Sequence, residues 1–168
     1  MKLPNFKYTK PPISIELHIH KVFYQPISPA LVSHEPTQED VQSELTDLAN
    51  YLCDTAKIER LPLRFKNVKS YSGKAFIAKR YIAISNKRVV AQPNKYFRDS
   101  IVIHEVCHFI YVDWYKESGA LDPPDYHGHD FKRIETKWLW HFGMVPHYGG
   151  IYIHTLSDFF GEALWSNR

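Results

Sequence analysis

The sequence predicts a single α+β domain in which a small antiparallel sheet packs against about three helices, with one helix at the centre. Two segments with apolar residues at helical spacing flank a stretch of short β-type runs, and a third helical segment follows. The chain has 168 residues, 44% of them hydrophobic, enough for one core. Residues 1–168 are therefore expected to form one domain, with an N-terminal extension at 1–36 and a C-terminal extension at 143–168.

The N-terminal extension contains one predicted strand. Apolar and polar residues alternate over residues 13–19, which is the period of a half-buried strand. The start of the chain lacks the apolar segment of a signal peptide, and no run approaches the roughly 18 to 20 apolar residues of a membrane-spanning helix. Only Cys53 and Cys107 are present, which excludes a disulfide framework and a zinc ribbon. These features predict a cytoplasmic protein with no membrane partner.

The first helix is predicted to begin after Thr37. Asp40 follows three residues later, as in a capping box, in which each residue bonds the other's backbone N–H. An apolar stripe at helical spacing then predicts one buried face: Val41, Leu45, Leu48 and Leu52.

Short β-type runs follow this helix. They occupy residues 63–68, 74–78 and 81–85 and are separated by Ser-Gly and Asn-Lys turn signals. Runs of this length and spacing predict a small antiparallel sheet or meander.

The next helix carries the motif around which the function is predicted. The sequence DSIVIHEVCHFIYVDW contains His104, Glu105 and His108 in the spacing HExxH. On a helix, residues four apart share one face, so the two imidazoles converge on one point beside the glutamate. Zinc binds neutral imidazole nitrogen, and a hydrolytic zinc site keeps one position open for water. The sequence therefore predicts a zinc site with an adjacent base, on a helix capped by Asn94 and ending near Glu117.

A core helix with two hydrogen-bonded histidines is the alternative explanation of this motif. Apolar residues lie on more than one side of the segment, which predicts that the helix is buried. Burying two imidazoles and a carboxylate without partners costs free energy, and a metal ion supplies a partner. The metal site is therefore the favoured interpretation.

The third metal ligand is predicted to lie beyond this helix. The extended pattern HExxHxxGxxH would require Gly and His where the chain has Tyr111 and Trp114. The first candidate is His127 in YHGHDF, which follows a Pro-containing loop and leads into the next helix. His129 and Glu135 are the alternatives.

The last predicted helix begins at His129 or Asp130 and is ended by Gly143. A short strand is predicted at residues 151–153. The helix carries four apolar residues at helical spacing: Phe131, Ile134, Trp138 and Phe142.

The combination of HEVCH, a Pro-interrupted loop and HGHDF resembles the SprT-like zinc metallopeptidases, the family of the Spartan proteases. This resemblance implies a zincin-like fold and one Zn²⁺ ion. It also implies His104, His108 and His127 as the ligands and Glu105 as the catalytic acid and base. In the Spartan branch the substrates are proteins crosslinked to DNA.

The resemblance extends from the helix that begins after Thr37 to the last helix, and the strand at residues 13–19 lies outside it. Two residues depart from the family pattern. Phe109 stands where a small residue is frequent, and His129 stands where many members have Pro. No four-cysteine zinc ribbon follows the motif, although several members carry one.

Charge is segregated along the chain. Residues 57–98 contain twelve of the 21 Lys and Arg residues but only one, Glu59, of the 18 acidic residues. Aromatic residues are interleaved with these bases, which is typical of surfaces that bind phosphates and stack on unpaired bases. The alternative is a solvated sheet face with its aromatic residues turned inward. The predicted contacts to single-stranded DNA are Lys79, Arg80, Lys87 and Arg88.

These observations predict a zinc-dependent endopeptidase that hydrolyses peptide bonds of proteins bound to or crosslinked with DNA. Glu105 would accept a proton from the zinc-bound water and donate it to the leaving amine. One alternative is an inactive DNA- or protein-binding module with a closed structural zinc site, and another is a zinc peptidase with no DNA link. Four residues are candidates for stabilising the oxyanion: Tyr126, His147, Tyr148 and Tyr152.

Overall fold

The fold is a three-stranded sheet packed against helices, in a computed structural model that describes residues 36–119, 123, 125–148 and 151–155. The α+β class is confirmed, and the predicted strand at residues 13–19 lies outside the described residues. Two short helical turns, Ile77–Lys79 and Asn86–Val90, flank the central strand. The α-helices are α1 (Gln38–Ala56), α2 (Lys95–Glu117) and α3 (His129–His141). The strands are β1 (Leu63–Lys66), β2 (Gly73–Phe76), β3 (Tyr81–Ser85), β4 (His147–Tyr148) and β5 (Ile151–Tyr152).

Helix α1 begins with the predicted capping box. The Thr37 hydroxyl accepts a hydrogen bond from the Asp40 N–H at 3.1 Å, and the Asp40 carboxylate accepts one from the Thr37 N–H at 2.8 Å. Two N–H groups that the helix cannot pair internally are thereby satisfied. The helix ends at Ala56, and the C-cap residue that follows, Lys57, has a left-handed φ of 59°.

The sheet is mixed, so the prediction of an antiparallel sheet or meander is wrong for β1. Strand β3 lies in the middle, antiparallel to β2 and parallel to β1. Burial explains why β3 is the central strand. All five residues of β3 are buried, whereas β1 and β2 carry exposed cations, and a strand that is apolar on both faces is most stable between two neighbours.

The two faces of this sheet have different compositions. On the inner face, Ile82 and Ile84 of β3 pair with apolar or small residues of both neighbours. The other face carries the three exposed residues of the sheet, and all three are cations: Arg64, Lys66 and Lys74.

Helix α2 lies at the centre of the domain, as predicted, and contacts α1, α3, β2 and β3. Its N-cap is Asn94, whose side chain accepts a hydrogen bond from the Phe97 N–H at 3.2 Å. Most of the helix between Val102 and Val112 is buried. The HExxH motif therefore sits on a largely buried segment of this helix.

Helix α3 and the β4–β5 hairpin complete the described fold. Gly128 is the N-cap of α3, and Gly143 follows the helix with a φ of 72°. The predicted strand at residues 151–153 is present as β5. The Trp140 indole N–H donates to the Ile153 carbonyl at 2.8 Å, which ties the end of the hairpin to α3. None of the helices described here is long and apolar enough to span a bilayer.

Candidate metal centre

Three imidazoles converge at one point between α2 and the start of α3. The Nε2 atom of His104 lies 3.3 Å from Nε2 of His108, one turn further along the same helix. It lies 3.4 Å from Nε2 of His127, which comes from the segment preceding α3. The three ligand atoms all lie within 4.8 Å of one another. They are close enough to hold one metal ion.

The position of His127 is set by a turn at the start of α3. The Asp125 carboxylate accepts a hydrogen bond from the His127 backbone N–H at 2.9 Å. Gly128 follows, and a Cβ there would lie 3.1 to 3.2 Å from Asp125 side-chain atoms. A side chain at position 128 would therefore press on the residue that holds the turn.

Phe131 forms the apolar floor of the histidine cluster. Its ring centroid lies 4.5 Å from that of His108 and 5.2 Å from those of His104 and His127. Phe131 is only 1% exposed. One buried aromatic ring thus packs against all three imidazoles and limits their rotation.

Two residues stand behind His104, on the side away from the other imidazoles. The Nδ1 atom of His104 lies 2.7 Å from Oε1 of Glu135 in α3. The other carboxylate oxygen of Glu135 accepts a hydrogen bond from the Tyr148 hydroxyl, also at 2.7 Å. Burial and the nearby Glu135 raise the pKa of Tyr148, so its hydroxyl keeps the proton that it donates.

The protonation of the three imidazoles depends on their surroundings. Burial and the neighbouring His104 lower the pKa of His108 to about 3, and the same two causes lower the pKa of His127. Burial also acts to lower the pKa of His104, but the hydrogen bond and charge of Glu135 outweigh it and the pKa is raised. At neutral pH, His108 and His127 are therefore neutral, the form that binds metals.

Glu105 follows His104 on α2, and its side chain packs against β2. The residue is 7% exposed. Burial raises its pKa above the ordinary value, while His104 and a hydrogen bond from the Ala75 backbone oppose that rise. A Cβ added at Gly73 would stand 2.7 Å from both Cγ and Oε1 of Glu105. The absence of a side chain at position 73 therefore leaves the space that the Glu105 carboxylate fills. The contacts of Glu105 with Gly73 and Ala75 were not predicted from the sequence, because they depend on the packing of β2 on α2.

The alternative third ligands occupy other positions. Glu135 contacts His104 from behind and is not part of the group of close ligand atoms, and His129 is also outside it. The Nδ1 atom of His129 lies 3.8 Å from the Asp130 carboxylate at the first turn of α3.

The four candidates for oxyanion stabilisation lie at different places relative to the histidine cluster. The Tyr126 ring centroid lies 6.4 Å from that of His108. Tyr148 is bonded to Glu135 behind His104. The rings of His147 and Tyr152 pack against each other on the hairpin, 4.6 Å apart. Among these four, Tyr126 is the one whose ring the structure brings near a histidine of the cluster.

The predicted DNA-contacting cations are not equally available. Arg80 donates two hydrogen bonds to the Asp113 carboxylate, at 2.9 and 3.0 Å, and its Nε lies 3.2 Å from a Glu59 oxygen. Lys79, Lys87 and Arg88 are exposed, although the Arg88 guanidinium also donates to a backbone carbonyl at 2.9 Å. Arg80 is thus engaged by two carboxylates, a partnership that the linear charge pattern did not indicate.

A different set of cations gathers on the outer face of the sheet. The rings of Phe76 and Tyr81 stack with centroids 4.5 Å apart. The Arg64 guanidinium lies 4.0 Å from the Tyr81 centroid, and the ammonium groups of Lys66 and Lys74 lie 5.3 to 5.9 Å from these rings. We call Arg64, Lys66 and Lys74 the basic sheet face.

The fold and the site together define an α+β protein with a candidate three-histidine metal centre beside a buried glutamate. Comparisons with family models, curated proteins and solved structures found no significant match to the chain. The similarity to the SprT-like family therefore rests on the sequence motifs alone.

Proposed function

We propose that this protein is a zinc-dependent endopeptidase. The observation that carries the proposal is the spacing of the imidazoles beside Glu105. Zinc binds histidine nitrogen at about 2.0 to 2.1 Å, and tetrahedral geometry then separates neighbouring nitrogens by about 3.3 to 3.4 Å. Two of the three separations, those from Nε2 of His104, are 3.3 and 3.4 Å, and all three ligand atoms lie within 4.8 Å of one another.

The number of ligands favours an enzyme over a structural zinc module. A structural zinc site is closed by four protein ligands, whereas a hydrolytic site has three and leaves the fourth position for water. The described part of the chain brings three histidine ligand atoms together, and His129 is not among them. This arrangement is the one expected for hydrolysis.

Glu105 is the residue of this chain that would move protons during the reaction. A zinc ion held by the three histidines would supply a water molecule with a pKa of about 7 and would polarise the scissile carbonyl. Glu105 would accept a proton from the attacking water and donate it to the leaving amine nitrogen. Burial raises the pKa of this carboxyl, and a base whose pKa approaches the working pH transfers protons most effectively.

The position of β2 favours a peptide as the substrate. Among the residues that the structure describes, β2 is an edge strand of the three-stranded sheet, and its first residue, Gly73, adjoins Glu105. Extended peptides commonly bind by pairing with an exposed sheet edge. A peptide bound along β2 would pass close to the proposed base.

The direct test is cleavage of an unfolded protein such as casein by the zinc-loaded chain. We expect cleavage within the substrate chain, loss of cleavage after chelation, and recovery when zinc is returned. Fragment masses distinguish internal cleavage from removal of terminal residues. A fully zinc-loaded sample that cleaves neither casein nor a mixed peptide library would contradict the proposal.

Replacing Gly73 by Ala is expected to reduce cleavage by about 100-fold, because a shift of about 1 Å in a catalytic group has an effect of this size. The new methyl group would meet Cγ and Oε1 of Glu105 at 2.7 Å. It would also meet Cγ2 of Ile101 at 2.9 Å. All three atoms belong to side chains rather than to the backbone, so the fold should tolerate the change. The measurement is kcat/KM, with zinc content and melting temperature recorded on the same sample. Unchanged activity would show that Glu105 does not need this space.

A second part of the proposal is that the substrates are proteins on or near single-stranded DNA, and the basic sheet face supports it. Three exposed cations surround one aromatic pair on one side of the sheet. Tyr81 is buried, so this face suits phosphate contact better than stacking of bases. Lys79, Lys87 and Arg88 are exposed in the same basic stretch and are further candidates for phosphate contact.

Reversing the charge of the basic sheet face is expected to weaken binding of single-stranded DNA. The variant combines Arg64→Glu, Lys66→Glu and Lys74→Glu, and binding is measured by fluorescence polarisation across a salt series. Each lost phosphate contact should reduce the salt slope by about 0.7. Lys57→Glu with Lys116→Glu, two exposed lysines outside the sheet, is the control. Binding that is absent at low salt would remove the DNA part and leave the peptidase part intact, and equal effects of the two variants would show that this face is not the binding site.

A further inference from the structure

We propose that Glu135 and Tyr148 are positioning residues, which together orient the His104 imidazole toward the metal and thereby couple the β4–β5 hairpin to the metal centre. This inference rests on the metal centre of the proposed function. It concerns two residues that would touch neither the metal nor the substrate.

The hydrogen bond between His104 and Glu135 fixes the tautomer of His104. Its Nε2 atom faces the other two imidazoles, so this nitrogen must carry a lone pair when a metal is bound. The ring proton must then lie on Nδ1. Oε1 of Glu135 stands 2.7 Å from Nδ1 and accepts that proton in a hydrogen bond. A carboxylate in this place fixes the tautomer and the ring orientation and makes the ligand more basic.

Glu135 is itself held in its orientation by Tyr148. Its side chain is 9% exposed, and its second oxygen accepts a hydrogen bond from the Tyr148 hydroxyl at 2.7 Å. Thr136 donates to the same hydroxyl at 3.3 Å, which leaves the phenolic proton for Glu135. The Lys132 carbonyl, at 3.4 Å, is a more distant acceptor. The hydrogen bonds thus run in one direction, from Thr136 through Tyr148 to Glu135.

The Glu135 carboxylate places a buried negative charge beside His104. Within the described residues, the groups bonded to the Glu135 carboxylate are His104, which is neutral when its Nε2 binds a metal, and Tyr148, a neutral donor. A buried carboxylate requires strong compensation. A divalent ion on the other nitrogen of His104 would supply it, which makes Glu135 more than a packing residue of α3.

Tyr148 connects Glu135 to the β4–β5 hairpin. Tyr148 belongs to β4, whose antiparallel partner β5 is followed by Ile153, bonded to Trp140 of α3. The hairpin therefore reaches His104 through two short hydrogen bonds, across 44 residues of sequence. Metal binding should slow amide hydrogen exchange in this hairpin, and loss of the Tyr148 hydroxyl should weaken that effect.

The test measures zinc affinity by competition with a chromophoric chelator. We expect Glu135→Gln to lower affinity by about 10- to 100-fold, the range found when such outer partners are lost, and Tyr148→Phe to lower it less. Because Tyr148 acts through Glu135, the double variant should lose no more than Glu135→Gln alone. The control is Tyr51→Phe, which likewise removes one tyrosine hydroxyl and its hydrogen bond, here 3.0 Å to Nε2 of His141 at the far end of α3.

Three results would overturn the inference: wild-type affinity in both single variants, additive losses in the double variant, or an equal loss in Tyr51→Phe. Circular dichroism verifies that each variant is folded. If Glu135→Gln fails to fold, the comparison of Tyr148→Phe with Tyr51→Phe decides, in zinc affinity and in hairpin exchange. A wild-type chain that binds zinc but cleaves nothing would sink the proposed function and leave this inference standing. A wild-type chain that binds no zinc would overturn both.

Discussion

Replacing Glu105 by Gln is expected to slow peptide hydrolysis severely while the bound metal is retained. The two side chains have nearly the same shape, but the amide cannot accept a proton from water. General acid–base catalysis contributes about 10²- to 10⁴-fold, so kcat should fall by that factor. The Glu105 carboxylate is not one of the three close ligand atoms, so the zinc content should stay at that of the wild type.

The measurement for this variant is kcat and KM on one peptide, together with zinc content. Glu117→Gln provides the matched control, because it is the same substitution at an exposed position of the same helix. It should leave both quantities unchanged. Equal cleavage by the Glu105 variant and the wild type would show that another group is the base. Loss of zinc together with activity would instead point to a direct role in metal binding.

Replacing His127 by Ala is expected to remove most of the zinc affinity. Two histidines on one helix then remain, and the loss should exceed the roughly 10- to 100-fold expected for an orienting residue. Zinc that binds only the folded state stabilises it by about 2.7 kcal/mol when its concentration is 100 times the Kd. The wild type should therefore gain this stability on addition of zinc, and the variant should not.

His129→Ala is the control for this experiment. His129 lies two residues away and outside the group of ligand atoms, so its loss should leave the stabilisation by zinc intact. Chemical denaturation with and without zinc measures the effect in all three proteins. The opposite pattern, with stabilisation lost in His129→Ala and kept in His127→Ala, would mean that the ligand set has been assigned wrongly.

The helix ends were predictable because their determinants are local. Thr37 and Asp40 bond to each other's backbone across three residues, and the Asn94 side chain accepts one hydrogen bond from the Phe97 N–H, also three residues on. Helical periodicity places His104 and His108 on one face wherever the helix packs. His127 was predicted from its position before the last helix and from the resemblance to the SprT-like motifs, and the structure brings its imidazole to the same point.

The order of the sheet was not predictable from the same kind of evidence. Turn signals indicate where β1, β2 and β3 begin, but they do not state which strands are neighbours. The decisive property was the burial of all of β3, which placed it between the other two. Arg80 shows the same limit for charge, because Asp113, its main partner, lies 33 residues away.

The amino-acid sequence by itself determined the three helices, the N-caps Thr37 and Asn94, and the pair of histidines with the adjacent glutamate, because each depends on residues within one or two helical turns. Only the tertiary structure decided the rest. It placed His127 against that pair, Gly73 against Glu105, and Glu135 with Tyr148 behind His104. These contacts join segments that are distant in the chain, and their distances depend on how the strands and helices pack, which no local pattern specifies.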